Sequence, residues 1–244
     1  MRPIIMIPAR LQSSRLPNKI LEDIHGKPMI AHVVDAAMKS NIGPVCVACA
    51  EPKVKDIAES LGCQAILTDP AHPSGSDRVF EALTKLDPKK EFDLVINLQC
   101  DLPNFDPEIL KDLVEPFDIN PNYDITTLCY EIDDETEIND PNVVKVIPGN
   151  LKDRMGEGLY FTRTTPYGEG AFYHHVGIYA YRRSALERFV SLSPSPLEKR
   201  ERLEQLRALE HDMRIGISVI DSQPMGVDTL EDLEKIKGIM LNFP

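Results

Sequence analysis

The chain has 244 residues, 42% hydrophobic and 27% charged, a balance that suits one folded domain, or one domain with an appended lobe. A formal net charge of −12 argues against nonspecific binding to nucleic acid or to an anionic membrane. No window approaches the roughly 20 apolar residues of a membrane-inserted span. The first apolar run is too short for a signal peptide, and five cysteines without framework spacing fit a reduced, cytoplasmic protein.

In chain order, PIIMI reads as a strand that opens into the loop PARLQSSRLPNK. GKPMIAHVVDAAMKS has the apolar stripe of a helix, PVCVACA is a second strand, and EPKVKDIAESLG is a helix with Pro52 near its start and Gly62 past its end. CQAIL is a third strand, SDRVFEALTKL a helix begun by Ser76, FDLVINL a fourth strand and DPEILKDLVEPF a short helix. Repeated βα units with strands apolar throughout imply a parallel sheet covered on both faces, with ligands at the carboxyl ends of its strands. After Asn120 the pattern changes. YDITTLCYEI, NVVKVI and HHVGIYAYRR read as strands with little helix between them, which suggests an antiparallel insertion over about 121–182 within a single domain of 1–244. RSALERFVSL and LEKRERLEQLRALEHDM follow as helices, IGISVI returns to the sheet, and DTLEDLEKIKGIML closes the chain as an amphipathic helix.

The first loop places Arg10, Arg15 and Lys19 at the mouth of the first strand of an acidic chain. It lacks the glycine patterns of a P-loop or a dinucleotide fingerprint, so side chains as well as backbone N–H groups would hold an anion such as a triphosphate. The plain alternative is a solvated basic loop. Asp101 in NLQCDLP ends the fourth strand, and Asp228 in MGVDTLEDLEK lies between the last strand and the last helix. Asp228 with Glu231 also approximates a capping box, which needs no chemistry. If both acids reach the edge where phosphates bind, a cation must lie between them, and Mg²⁺ suits one or two carboxylates plus phosphate oxygens. Arg163, His175, Tyr179, Glu204 and Gln205 form a scattered polar set. His174 and His175 are adjacent on a strand, so only one can face a given side. Glu204 on so charged a helix reads equally well as solvent-facing.

IPARLQSSRLPNK, HGKPMI, SGSDR, NLQCDLP, YFTR, HHVGIYAYR, SPLEKRERLEQLRAL and GVDTLEDLEK occur in that order. Together they resemble the 3-deoxy-manno-octulosonate cytidylyltransferase (CMP-Kdo synthetase) family over nearly the whole chain. The resemblance implies an α/β fold, the Rossmann-like nucleotide-diphosphosugar-transferase sandwich, with a mostly parallel sheet and an antiparallel dimerisation insertion. It implies a homodimer that makes CMP-Kdo and pyrophosphate from CTP and Kdo with Mg²⁺, activating the sugar for lipopolysaccharide synthesis. Arg10, Lys19, Asp101 and Asp228 would then be catalytic, the two aspartates as metal ligands. Ala9, Arg10, Arg15, Lys19, Ser74 and Arg78 would bind the nucleotide. Gln99, Arg163, His175, Tyr179, Glu204 and Gln205 would bind the sugar acid. Two positions depart from the family pattern: Cys100 stands where glycine is usual, and Ala50 where an acid is usual. Competing readings are a cytidylyltransferase for an amino-Kdo or sialic-acid-like sugar, and a non-catalytic nucleotide-binding protein.

Overall fold

The computed structural model describes residues 1–13, 15–168 and 170–241. They fall into two compact units: Met1–Glu108 joined by the segment from Pro224 onward, and Ile109–Gln223. The second unit extends beyond the expected insertion at both ends.

In the first unit, β1 (Pro3–Ala9) runs into the basic loop, which ends in a 3-10 turn at Lys19–Leu21. A small hairpin follows, β2 (Asp23–Ile24) against β3 (Lys27–Pro28), turned by Gly26 at φ 84°, a value that only glycine adopts freely. Then come α1 (Met29–Lys39), β4 (Val45–Cys49), α2 (Pro52–Ser60), β5 (Gln64–Leu67), α3 (Gly75–Leu86) and β6 (Leu94–Asn97). The strand order is β5-β4-β1-β6, and every neighbouring pair is parallel. Ile4–Ile7 and all four residues of β6 are buried, as a sheet covered on both faces requires. Ser74, two residues earlier than expected, caps α3: its Oγ accepts from the Asp77 N–H, and Ser76 lies in the first turn.

The second unit contains α4 (Ile109–Val114), α5 (Pro116–Ile119), β7 (Ile125–Glu131), α6 (Glu135–Asn139), β8 (Lys145–Pro148), β9 (Met155–Thr162) and β10 (Tyr173–Arg182). It continues with α7 (Arg183–Ser191), α8 (Pro196–Glu201), α9 (Gln205–Glu210) and β11 (Ile215–Val219). Its strand order is β10-β7-β11-β9-β8, with β8 returning to pair with β10. All its pairs are antiparallel except β7–β11. Strand β9 has no counterpart in the sequence reading because its glycines break the alternation of apolar residues. The space at Gly158 explains one of them, since a Cβ there would meet the Phe161 ring at 3.0 Å and Ile217 at 3.1 Å. The charged segment expected as one helix is two, α8 and α9, because Arg202 takes a left-handed φ of 57° between them. IGISVI becomes β11 of this unit's sheet.

The closing helix α10 (Leu230–Met240) belongs to the first unit. Its Leu233 and Ile236 pack with Val227, Met29, Ile24 and Leu16 in one buried cluster. Leu16 comes from the middle of the basic loop, so this cluster ties that loop to the fold between Arg15 and Lys19.

Candidate nucleotide-binding site

A cleft of about 510 Å³ opens at the carboxyl ends of β1 and β6. Ala9, Arg10, Arg15 and Lys19 line it from the first loop, Ser74 and Arg78 from the start of α3, and Gln99, Cys100 and Asp101 from the segment after β6. Asp228 completes it. All the expected nucleotide-binding and metal-binding residues of the first unit therefore border one space.

Asp228 reaches Asp101 through the backbone. The N–H of Val227 donates to the Asp101 carbonyl at 2.9 Å, which lays the segment before α10 beside the segment after β6. The expected overlap of Asp228 with a helix cap is not what forms. The capping box is Thr229 with Asp232, one residue later, and the Asp228 carboxylate is left to meet cations. Lys19 Nζ lies between the two acids, 2.7 Å from Asp101 Oδ2 and 3.0 Å from Asp228 Oδ1. Arg15 Nη2 approaches Asp228 Oδ2 at 2.8 Å. The Lys19 side chain is only 12% exposed. Burial works against its charge most strongly, but Asp101 and Asp228 together outweigh it and raise its pKa above the ordinary lysine value.

Arg78, on the α3 side of the cleft, is a buried cation. Its Nη1 donates to Thr68 Oγ1 at 2.6 Å, and the Thr68 hydroxyl donates to the Cys49 carbonyl at 3.0 Å. Its Nη2 is buried without a hydrogen-bond partner. Burial, and then the nearby charge of Arg10, lowers the Arg78 pKa. A buried donor left open at a cleft is costly unless something accepts from it, and a bound polar ligand is such an acceptor. Gly75 borders the same space, and a Cβ there would come within 3.3 Å of Pro8.

The residue Cys100 fits without distortion. Its φ is not positive, so the backbone accepts a side chain, and the buried thiol is pushed up in pKa chiefly by burial and then by Asp101. Two contributors were not anticipated, Thr68 and Glu51. Thr68 directly follows β5 and Glu51 lies two residues past the end of β4, so the strand-end rule applied to every strand would have found them.

The remaining expected residues lie in the second unit. His175 is 8% exposed, its Nε2 is 2.9 Å from Thr127 Oγ1, and its ring centroid is 5.5 Å from that of Tyr179. Burial raises the Tyr179 pKa well above its usual value, with smaller contributions from Tyr181 and Glu204. The neighbouring His174 turns to Tyr130 and Glu137, as the strand alternation requires. Glu204 is half-buried rather than solvent-facing, and Gln205 beside it is buried. Arg163 donates from Nε to the Glu201 carbonyl and from Nη1 to the Pro141 carbonyl, both at 3.1 Å.

Burial, with a lesser push from His174, lowers the His175 pKa to about 3. The folded chain thus refuses a proton that the unfolded chain accepts near pH 6.5. The stability this contributes is complete above pH 6.5 and is lost as pH falls toward 3, with a slope approaching about 1.4 kcal/mol per pH unit. Denaturant melts between pH 7.5 and 4.5 should show this loss in the wild type and a shallower one in His175→Gln. Parallel curves for the two proteins would contradict the burial of a neutral imidazole.

The parallel sheet with its cation-lined cleft has the α/β nucleotidyltransferase fold, as the comparisons with solved structures show. The fold alone is shared with a solved 4-diphosphocytidyl-2C-methyl-D-erythritol synthase from Anaerococcus prevotii, at 12% identity and a TM-score of 0.67 over 99% of each chain. The cytidylyltransferase family model matches residues 4–215. The 3-deoxy-manno-octulosonate cytidylyltransferase of Paramagnetospirillum magneticum is 52% identical over 98% of this chain and 97% of its own. That of Rhodospirillum centenum is 53% identical over 98% and 93%. A solved CMP:2-keto-3-deoxy-manno-octonic acid synthetase complexed with CTP is 38% identical, with a TM-score of 0.89 over 99% of both chains. The chain belongs to the 3-deoxy-manno-octulosonate cytidylyltransferase family.

Proposed function

We propose that the protein transfers a cytidylyl group from CTP to Kdo, giving CMP-Kdo and pyrophosphate. The observation that carries this reading is the convergence of Asp101 and Asp228 on Lys19 of the basic loop. The anomeric hydroxyl of the sugar attacks the α-phosphorus, a new P–O bond forms, and the bond to the departing pyrophosphate breaks. Arg10, Arg15 and Lys19 offset the charge of the triphosphate and of the leaving pyrophosphate. Ser74 and Arg78, with Ala9, face the cytidine, and the open Nη2 of Arg78 supplies a donor. Gln99, Arg163, His175, Tyr179, Glu204 and Gln205 take the sugar acid, with Arg163 on its carboxylate.

The two carboxylates fit Mg²⁺. They already share one cation, they offer only hard oxygen donors, and no third His, Cys, Asp or Glu joins them among the described residues. Phosphate oxygens and water would fill the remaining positions, the usual arrangement for this ion. When bound, Mg²⁺ supplies charge neutralisation and polarisation at the α-phosphate.

The reading extends to a cytoplasmic homodimer. Five buried free cysteines support a reducing compartment. Among the described residues no helix is long and apolar enough to cross a membrane. Exposed Ile147 and Leu159, on the paired strands β8 and β9, support a dimerisation role for the second unit.

Pyrophosphate release should require CTP, Kdo and a divalent ion together, and should stop in chelator. Parallel assays with an amino-Kdo and a sialic acid identify the sugar, since each would use the same carboxylate-binding groups. CTP binding without pyrophosphate release for any sugar acid would instead support the non-catalytic reading.

A further inference from the structure

We infer that Glu51 is a positioning residue for the basic loop, a strut that fixes the loop at Leu11 and thereby aligns Arg10 and Lys19. The inference rests on the reading of that loop as the triphosphate holder. Glu51 follows the end of β4 and stands at the N-cap of α2. A Ser, Thr, Asp or Asn there ordinarily accepts from a free N–H group of its own helix. The Glu51 side chain makes no such bond. It turns across to the first loop instead, and both of its carboxylate oxygens lie 3.2 Å from the Leu11 N–H that donates to them.

Leu11 is also where the loop closes. Its carbonyl accepts from the Asn18 N–H at 3.1 Å, and Asn18 holds the left-handed φ of 57° that this return needs. Arg10 immediately precedes Leu11, and Lys19 immediately follows Asn18. One carboxylate therefore steadies the outgoing and returning arms at the two residues that abut these cations. Ala50, one position earlier, has no group to do this, and its own N–H is spent on the Ala9 carbonyl at 3.1 Å. Glu51 also adds a negative charge near Arg78, opposing the effect of Arg10 on that buried guanidinium.

Glu51→Ala removes both the acceptor and the charge, whereas Glu51→Gln keeps an acceptor oxygen. In ligand-free protein, hydrogen–deuterium exchange of the Leu11 amide should accelerate about tenfold in Glu51→Ala, in line with loss of one charge-assisted hydrogen bond at a half-buried site, and stay near wild type in Glu51→Gln. By calorimetry, CTP affinity should fall about tenfold in Glu51→Ala and no more than about threefold in Glu51→Gln, with the KM for the sugar unmoved. Unchanged Leu11 exchange in Glu51→Ala overturns the strut. So does a Glu51→Gln protein that loosens as far as Glu51→Ala, or a loosened loop that binds CTP as tightly as wild type. A wild type that fails to bind CTP would sink the functional reading, and the exchange measurement would still judge the strut.

Discussion

Asp101→Asn is expected to fold normally and to lose turnover by about 10²–10³-fold at saturating CTP and sugar. Asparagine has the size of aspartate, and Lys19 keeps its second partner in Asp228, so the local packing loses one ion pair and no volume. The chemistry loses more. One of the two carboxylates that would hold the divalent ion becomes a neutral ligand, and the charge at the α-phosphate is compensated less well in the transition state. Pyrophosphate release, read beside a thermal melt, separates the two effects. Wild-type turnover in Asp101→Asn would remove the metal hypothesis.

Arg163→Ala should raise the KM for the sugar by about 10–100-fold and leave that for CTP within about threefold, the loss of a charge-assisted hydrogen bond to a carboxylate. The structure gives this residue the rigidity such a role needs. Its guanidinium is held by the Glu201 and Pro141 carbonyls, and its own carbonyl accepts from Lys145 Nζ at 2.8 Å. Lys145 is fully buried and donates also to the carbonyls of Asp140 at 2.9 Å and Val143 at 2.7 Å. A fork fixed from both sides meets a carboxylate with little further loss of side-chain freedom. Steady-state kinetics varying each substrate in turn is the check. Equal increases in both KM values would place Arg163 outside the sugar pocket.

The two halves of the chain were unequally legible. β1, β4 and β6 stand out as short, continuously apolar runs because a parallel sheet buries both faces, while the edge strand β5 is partly exposed, and the helices between them carry the 3.6-residue stripe. The second unit hides its elements better. β9 lacks the pattern because close packing at Gly158 needs no side chain, and Arg202 splits a helix that charge and propensity alone would have continued. Capping was misplaced by one or two residues at both α3 and α10, where several Ser, Thr and Asp candidates stand together. Backbone geometry chooses among them.

The order and chemistry of the motifs, and with them the family, were determined by the sequence alone. A basic loop after the first strand, an acid after the fourth strand and a second acid before the last helix are local features, readable without coordinates. Their meeting is not local. Lys19 touches acids 82 and 209 residues away, through contacts that only the stacking of parallel strands and the Val227–Asp101 hydrogen bond bring about. The role of Glu51 likewise came from tertiary structure, because nothing in a helix-start glutamate tells whether it will bond to its own turn or reach across to a loop forty residues earlier.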